Sequence, residues 1–422
     1  MRFFGLKNVL CSFDEKKDMK HFSFMLIAAL SMISCGLHEI GGEGGTGDEI
    51  WTGPSGGGST GPAMRSRCYV TCLDYQDGYD WRADSEKGSV KCSLVVYSDG
   101  TPMMKVPVGD AYEVSSDPDM HRIVSGHLVT DYATSQETVI KVDGVESFRY
   151  YGRDIIKGVL LRDDGLYTLG QSRTGDGFSL RINGEVVIER DNGYVLGNLY
   201  EDGDSICFAF AERVISAGSE IERYYDVVNG EVVQVGIRND IRKVWDVLNR
   251  GGKRFVLASL TGIRSPVIIV EDKLVAIETV ASSSVLSCRL FPMGQECGVE
   301  GIYSFMSKYQ YSALWLGSAL YKAFDVSHVI SSLSSSDDGV CCLVNPVGAL
   351  DKGVIFRNGE EFHMPPGYAA MGDVCAVMVD GIMHAGLSSV SRKKPVIWKD
   401  GAIDTLNVNG FISGLSVEKV LK

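Results

Sequence analysis

The sequence predicts an all-β fold, a β-propeller for which eight blades are favoured and seven are the alternative count. Three observations carry this prediction. Tight-turn dipeptides flanked by alternating apolar residues recur at a nearly constant spacing, helical periodicity is almost absent, and a spare apolar segment lies at the C-terminus. Repeats of this length are typical of four-stranded propeller blades. An open two-sheet sandwich is a third interpretation.

The repeated unit is a β-hairpin with a two-residue turn. The eight predicted turns are Asp99-Gly100, Asp143-Gly144, Asn183-Gly184, Asn229-Gly230, Asp272-Lys273, Gly317-Ser318, Asn358-Gly359 and Asp400-Gly401. Asn or Asp followed by Gly predicts a type I′ turn, because both central residues need positive φ. The first turn residues lie 40–46 positions apart, which is the size of one blade.

Further strands are predicted inside each period. In the third, Gly158–Arg162 and Leu166–Gln171 are predicted strands that precede the hairpin. Before the first hairpin there is room for only one strand, residues 69–74, whereas Phe411–Val417 follows the last hairpin as an unassigned strand. We therefore expect the C-terminal strand to join the N-terminal blade and close the ring, which removes exposed sheet edges. Ile241–Leu248 is the best helical candidate.

The N-terminal region has the pattern of an export signal. Lys20 supplies a positive charge, and an apolar stretch follows from Phe22 to Met32, too short to span a bilayer. The stretch ends in Met-Ile-Ser-Cys at residues 32–35, which resembles a bacterial lipobox. The resemblance implies lipidation of Cys35 after removal of residues 1–34. Because residues 1–18 hold several acidic side chains, Met19 is a candidate for the true start of translation.

The segment after Cys35 has the composition of a tether. Residues 36–63 contain 11 glycines in 28 positions and bury too little apolar surface to offset the entropy of ordering. The predicted organisation is therefore a signal region (1–34), a lipidated cysteine with a Gly-rich tether (35–63) and a propeller (64–422). This order predicts an exported protein anchored by lipid to a bacterial outer membrane, on its periplasmic or its surface face.

Two hairpins carry a further resemblance. Trp398-Lys399-Asp400-Gly401, together with Phe356-Arg357-Asn358-Gly359, is similar to a turn that recurs in β-propeller envelope lipoproteins of Bacteroidetes-type bacteria. The resemblance implies the same fold and the same location in the cell envelope. It implies no activity, because that family has no settled one.

The charge balance limits the partners. The net charge of −13 argues against nucleic acid and against attachment to the membrane by a basic patch, so the lipid is the only predicted membrane contact. Neutral, cationic or metal-bridged partners are favoured. No histidines share a metal-ligand spacing, and no Cys-x-x-Cys pair occurs, so no catalytic residue and no zinc site are predicted.

The first candidate site is the segment that follows the first predicted strand. Its candidate ligand-binding aromatics are Tyr75, Tyr79 and Trp81, and its candidate metal ligands are Asp74, Asp77 and Asp80. Exposed aromatic rings are platforms for sugars or proteins, and clustered carboxylates suit Ca²⁺, although the spacing is not that of an EF-hand. No cofactor other than this Ca²⁺ is expected. The alternative interpretation is a solvated loop whose aromatic rings pack against the flank of the blade.

The second candidate site lies in the sixth period. It consists of Tyr309 and Tyr311, with Trp315 nearby, and the same aromatic chemistry would bind a ligand there. The alternative interpretation is a strand whose aromatic side chains belong to the core and pair across the sheet.

The cysteines after Cys35 are expected to be mainly small buried apolar residues. Cys207, between Ile206 and Phe208, is typical of this pattern. A disulfide between Cys72 and Cys92, on neighbouring predicted strands, is the alternative for that pair.

The function favoured by these observations is a non-catalytic cell-envelope lipoprotein. Its propeller loops or central funnel would bind a glycan, a peptide or a protein partner. One alternative is an envelope polysaccharide hydrolase or lyase with carboxylates gathered at the propeller axis. Another is an assembly factor that acts only through protein partners.

Overall fold

The computed structural model describes most of the chain beyond residue 63. The described ranges are 64–75, 91–110, 121–133, 137–173, 177–216, 219–236, 240–263, 265–271, 273–278, 280, 283–305, 309–325, 327–336, 339–347, 353–371, 374–389 and 394–421. The predicted signal region, Cys35 and the Gly-rich tether lie outside these residues. No helix occurs in the described ranges, and correspondingly no helix there is long and apolar enough to cross a membrane.

The described residues form thirty-three strands. In chain order the first seventeen are β1 (Met64–Tyr75), β2 (Lys91–Ser98), β3 (Thr101–Asp110), β4 (His121–Val124), β5 (His127–Ala133), β6 (Glu137–Val142), β7 (Val145–Tyr151), β8 (Asp154–Arg162), β9 (Gly165–Ser172), β10 (Phe178–Ile182), β11 (Glu185–Arg190), β12 (Gly193–Asp202), β13 (Ser205–Ser216), β14 (Ser219–Val228), β15 (Glu231–Gln234), β16 (Ile241–Arg250) and β17 (Lys253–Leu260). The remaining strands are β18 (Val267–Val270), β19 (Lys273–Ala276), β20 (Ser283–Met293), β21 (Glu296–Phe305), β22 (Tyr309–Leu316), β23 (Ala319–Ala323), β24 (His328–Ser336), β25 (Gly339–Pro346), β26 (Val354–Arg357), β27 (Glu360–His363), β28 (Tyr368–Ala369), β29 (Ala376–Val379), β30 (Ile382–Ser389), β31 (Val396–Lys399), β32 (Ala402–Thr405) and β33 (Gly410–Leu421).

The strands form eight antiparallel sheets, which are the blades of a propeller. Blade I orders its strands β33-β1-β2-β3 from the axis outward, and blades II to VII each take four consecutive strands, from β4–β7 through β24–β27. In blade VIII, β28 and β29 both pair with β30, which is followed outward by β31 and β32. The predicted fold, the count of eight and the closure are therefore confirmed.

The ring closes through its innermost strands. Each of β4, β8, β12, β16, β20, β24 and β29 lies against the innermost strand of the next blade, and β33 lies between β29 and β4. β33 pairs along the whole of β1, from Met64 opposite Leu421 to Asp74 opposite Gly410. The last strand of the chain thus completes the first blade, so neither terminus of the described body leaves an inner sheet edge open.

The antiparallel order gives the ring two distinct faces. The turns between first and second strands, and between third and fourth strands, lie on one side, which we call the lower face. The strand ends that lead into the connections between second and third strands, and between successive blades, lie on the other side, which we call the upper face. Residues 76–90, which connect β1 to β2, and residues 111–120, which connect blade I to blade II, lie outside the described residues.

The Asn and Asp residues of the lower-face turns have two structural roles. Asn183 has a φ of +51° and Gly184 a φ of +88°, as a type I′ turn requires. The Asn183 side chain also accepts a hydrogen bond from the backbone N–H of Leu166 at 2.9 Å, in the neighbouring strand. Equivalent bonds are made by Asp99, Asp143, Asn229, Asn358 and Asp400. The dipeptide therefore shapes the hairpin and attaches it to the rest of the blade.

Every junction between blades carries a side chain that accepts a backbone hydrogen bond from the inner strand, or its turn, in the next blade. The accepting side chains, from blade I to blade VIII, are Glu418, Thr138, Gln171, Tyr200, Asp246, Ser312, Ser332 and Ser388. Apolar side chains fill the space around these bonds. Between blades III and IV, for example, the ring centroids of Phe178 and Phe210 lie 4.7 Å apart. Polar bonds and apolar packing thus act together at each junction.

All nine cysteines of the described ranges are buried, as the preferred interpretation predicted. Cys72 pairs in register with Val95, and Cys92 pairs with Tyr75, so the alternative disulfide between these two cysteines is not formed. Burial raises the pKa of the Cys341 thiol to about 12. These residues act as small apolar side chains within the strands.

Two local predictions were wrong. The helical candidate Ile241–Leu248 is part of β16, an inner strand of blade V. The fifth hairpin turns one residue earlier than predicted, because β18 ends at Val270 and β19 begins at Lys273. Glu271, with a φ of +47°, therefore takes the first turn position in place of an Asn or Asp.

Candidate ligand-binding site

The first predicted site begins at the upper end of β1. The Asp74 carboxylate accepts one hydrogen bond from Lys105 Nζ at 2.9 Å and another from the backbone N–H of Asn409 at 2.9 Å. It therefore connects the outermost strand of blade I to the residue that precedes its innermost strand. The Tyr75 ring lies 6.4 Å, centroid to centroid, from Phe411.

The other residues of that site, Asp77, Tyr79, Asp80 and Trp81, lie outside the described residues. Within the described ranges, no group of three or more His, Cys, Asp or Glu side chains is arranged to hold a metal ion. The Ca²⁺ site stays a prediction, since two of its three proposed ligands belong to the undescribed segment.

The second predicted site lies within blade VI. Trp315 is fully buried and Tyr311 is 5% exposed, and the rings of both lie within 6 Å of the Tyr303 ring. This is the arrangement expected of core aromatics paired across a sheet. Tyr309, at the upper end of β22, is half-buried. Tyr75 and Tyr309 are both near the upper face, but they belong to blades separated by blades VII and VIII.

A cavity of about 650 Å³ opens between the upper ends of blades IV and V. Its volume is in the range of small-molecule sites, about 300–1,000 Å³. The side chains that matter to its chemistry are Tyr194, Arg213, Glu222, Arg242, Lys243 and Trp245. The first three belong to blade IV, and the last three lie on β16 of blade V.

β-Bulges set the shape of this wall of the cavity. The pairing of β16 with β17 shifts register between Ile241 and Lys243 and again between Val244 and Asp246. Arg242 and Trp245 are the extra residues at these two bulges. An extra residue leaves the regular ladder and bends the strand, which re-aims the neighbouring side chains. Three functional side chains of one short segment, Arg242, Lys243 and Trp245, therefore reach the same cavity.

Glu222, the one carboxylate in the described part of the cavity wall, is engaged by protein groups. Glu222 accepts hydrogen bonds from the hydroxyls of Tyr194, at 3.2 Å, and Tyr224, at 2.7 Å. Arg213 Nε lies 3.9 Å from Glu222 Oε1. Burial, assisted by the charge of Glu222 and its hydrogen bond, raises the pKa of the Tyr194 hydroxyl to about 12, so this group stays a donor.

The two β16 cations that line the cavity, Arg242 and Lys243, have no such partner among the described residues. Neither Arg242 nor Lys243 has a carboxylate within 4.0 Å in the described part of the chain, although the whole protein is strongly acidic. Lys243 Nζ lies 3.8 Å from the centroid of the Trp245 ring, a cation–π contact. The indole N–H of Trp245 donates to Ser259 Oγ at 2.6 Å, which fixes the ring that holds Lys243.

A buried carboxylate lies next to this cavity. Asp246, adjacent to Trp245, accepts hydrogen bonds from the backbone N–H groups of Leu290 and Val247, both at 2.8 Å. Burial raises its pKa to about 6 despite these bonds and despite the charge of Arg289. Gly197 in blade IV, at a φ of +73°, comes so close that a Cβ there would lie 2.9 Å from Asp246 Oδ1. This group therefore positions blades IV, V and VI against one another.

A second cavity, of about 510 Å³, lies between the outer strands of blades I and VIII. It is lined by Tyr97, Met103 and Met104 and by the ion pair of Asp74 with Lys105. Its charged groups neutralise each other, in contrast to those of the cavity between blades IV and V. The Asp74 of the first predicted site thus lines a cavity whose other described walls were not identified from the sequence.

Sequence reasoning missed Arg242, Lys243 and Trp245. The available signal was the run Arg-Lys-Val-Trp at the start of a predicted element, with two adjacent cations in an acidic chain. The run was assigned to a helix, which would have distributed these side chains around its axis.

No protein-family model and no curated protein matches the chain. Among solved structures it is similar to the β-propeller domain of the trilobed protease from Pyrococcus furiosus, at 13% identity and a TM-score of 0.44 over 70% of this chain and 91% of that one. It is also similar to Pyrococcus horikoshii acylaminoacyl peptidase, at 11% identity and a TM-score of 0.44 over 78% of this chain. The chain spans 55% of that peptidase. Saccharomyces cerevisiae Sqt1 has 10% identity and a TM-score of 0.42 over 69% of this chain and 85% of its own. At these identities the similarity concerns the fold alone.

Proposed function

We propose that this protein is a non-catalytic binding protein of the bacterial cell envelope, which holds a glycan, a peptide or a protein partner on the upper face of its propeller. The observation that supports this proposal best is the cavity between blades IV and V. It is large enough for a ligand and presents aromatic side chains. Two of its cations have no neutralising carboxylate among the described residues. Such a site is suited to hold a ligand on fixed strands.

The proposed location rests on the N-terminal sequence. Cys35 follows a lipobox-like pattern, and residues 36–63 supply a Gly-rich tether between the lipid and the propeller. Expression in a bacterial host with labelled fatty acid should place the label and the protein in the membrane fraction. A Cys35→Ala variant should lose the label and become soluble. Labelling of the variant, or an unlabelled wild-type protein, would contradict the anchor.

Binding is tested with the full chain on glycan and peptide arrays, followed by direct affinity measurement. We expect saturable binding that is weakened by substitutions at Arg242 and Lys243 and is accompanied by no product. An alternative function, an envelope polysaccharide hydrolase or lyase, would give new reducing ends or unsaturated sugar products with turnover. Product formation by the purified protein would overturn the proposal in favour of that enzyme.

A further inference from the structure

We infer that the cavity between blades IV and V recognises an acidic peptide segment of a partner protein. The carboxylates of this peptide would bind Arg242 and Lys243, and one of its apolar side chains would pack against Ile215. This inference rests on the proposed function and specifies the class of ligand. It reverses the expectation from the net charge, which favoured neutral, cationic or metal-bridged partners.

The charge of the cavity is opposite to that of the whole protein. Glu222 is already bound by two tyrosine hydroxyls and approached by Arg213, so its negative charge is largely compensated inside the wall. Arg242 and Lys243 are compensated by no carboxylate in the described ranges. In a chain of net charge −13, this local excess of positive charge attracts an anionic group specifically to this cavity.

The contact between Lys243 and Trp245 prepares the site for an anion. The ammonium is held 3.8 Å from the ring centroid, and the ring is held by its hydrogen bond to Ser259. A lysine restrained in this way loses less side-chain freedom when a carboxylate binds than a fully mobile one would lose. Arg242 supplies the planar donor group that binds carboxylate oxygens in pairs.

The hairpin of β13 and β14 adds an apolar contact above the cavity. Arg213 is opposite Glu222 in this hairpin, and two residues further along Ile215 is opposite Glu220. Because side chains alternate along a strand, Ile215 lies on the same face as Arg213, which lines the cavity. Ile215 is 83% exposed.

An exposed aliphatic side chain next to a cationic cavity favours a peptide. A peptide can place a carboxylate and an apolar side chain a few ångströms apart, which fits the spacing of charged and apolar groups along this hairpin. An acidic sugar would meet the cations but would leave Ile215 exposed. The described residues therefore favour a peptide over an acidic glycan.

The experiment is selection from a random decapeptide display library on the full-chain protein. Counter-selection uses an Arg242→Gln, Lys243→Gln double variant. We expect enriched peptides that combine Asp or Glu with a neighbouring apolar residue. For a synthetic copy of an enriched peptide, each single substitution should weaken Kd by about tenfold to a hundredfold, the effect of losing one charged hydrogen bond. High ionic strength should weaken the same interaction.

Matched variants separate site effects from general ones. Arg223→Gln also removes one positive charge, but Arg223 follows Glu222 in β14 and its side chain is therefore on the face opposite to the cavity. This variant should leave Kd unchanged. Ile215→Ser should weaken binding, whereas Ile403→Ser, which alters a 50% exposed residue on blade VIII, should not. Thermal unfolding curves of all variants verify that the propeller stays folded.

A parallel arm measures binding of oligogalacturonate, an acidic glycan, to the same variants. Enrichment of non-acidic peptides, or enrichment that survives in the double variant, would refute the inference. Binding of oligogalacturonate without any acidic peptide would also refute it while retaining the proposed binding function. Absence of both peptide and glycan ligands from the selection and the arrays would count against the binding function itself.

Discussion

Ser332 is the residue whose substitution tests the bonds between blades most directly. Its side chain is completely buried, and its Oγ accepts hydrogen bonds from the backbone N–H groups of Cys375 at 2.8 Å and Ala376 at 3.1 Å. Ser332 belongs to the inner strand of blade VII, and both donors belong to blade VIII. One hydroxyl thus serves two backbone groups across the junction, in a position that solvent does not reach.

Ser332→Ala removes this acceptor and almost nothing else. Each buried N–H left without its partner costs about 1–3 kcal/mol, and two groups are affected. We expect the free energy of unfolding to fall by about 2–6 kcal/mol, the lower values applying where one N–H shares another acceptor. Because the side chain shrinks by a single oxygen, loss of packing contributes little to this change.

The measurement is denaturant unfolding of the full chain, monitored by far-UV circular dichroism and by tryptophan fluorescence. Ser334→Ala, at a half-buried position two residues along the same strand, is the matched control, and its effect should stay within about 0.5 kcal/mol. The variants should differ in midpoint at an unchanged slope. If the two variants were equally stable, the hydrogen bonds of Ser332 would not contribute to holding blades VII and VIII together.

Three further predictions concern other parts of the fold. Asn183→Gly keeps the positive φ but loses the hydrogen bond to Leu166, so it should lower the free energy of unfolding by about 1 kcal/mol. Asn183→Ala loses the same bond and adds about 1–2 kcal/mol of backbone strain. If urea unfolding showed Asn183→Ala to be the more stable variant, the role of the turn would be contradicted. Burial raises the native pKa of Asp246 to about 6 from an ordinary 3.8, so the native state binds this proton more tightly. The stability of wild type relative to Asp246→Asn should therefore fall as pH rises from about 4 to about 6, by up to about 3 kcal/mol, and a flat difference would exclude this linkage. Because burial holds the pKa values of Cys68 and Cys341 near 12, a thiol reagent at mildly alkaline pH should label none of the nine described cysteines until denaturant is added.

The fold could be predicted because its strongest constraint is local. A type I′ turn needs positive φ at two adjacent residues, and few dipeptides other than Asn-Gly or Asp-Gly provide it at low cost. Asn183 has a second role, the bond to the neighbouring strand, which explains why Asn or Asp recurs at this position even where another small residue would turn the chain. The spacing of these turns was therefore a direct measure of blade size.

Two hairpins lack an Asn-Gly or Asp-Gly turn, and the fifth of the eight was predicted in the wrong register. In the fifth repeat, Glu271 adopts a φ of +47° at the first turn position, which costs an ordinary side chain energy. The residue types expected at a turn begin at Asp272, one position later, so a rule based on residue type placed the turn there. The prediction failed where the chain accepts strain at a turn.

The bonds between blades were not foreseen, for a different reason. Ser332 and Ser388 look like ordinary polar residues of half-exposed strands, and nothing near them in the sequence indicates burial. Their partners lie 43 and 24 residues away, in the next blade, and are backbone groups with no residue-type signature. A contact of this kind is defined only when the two sheets pack together.

The candidate site and the error at β16 have the same physical origin. In a regular strand the apolar residues would alternate, but the extra residues Arg242 and Trp245 shift the alternation twice within a few positions. The resulting spacing of apolar side chains imitates the period of a helix, which explains the wrong assignment. The same two shifts bring Arg242, Lys243 and Trp245 to one cavity, which a uniformly alternating strand would not do. Single register shifts also occur in the innermost strands β8, β20 and β24, so it is the second shift that distinguishes β16. This doubled departure from alternation is the signal that sequence analysis can use.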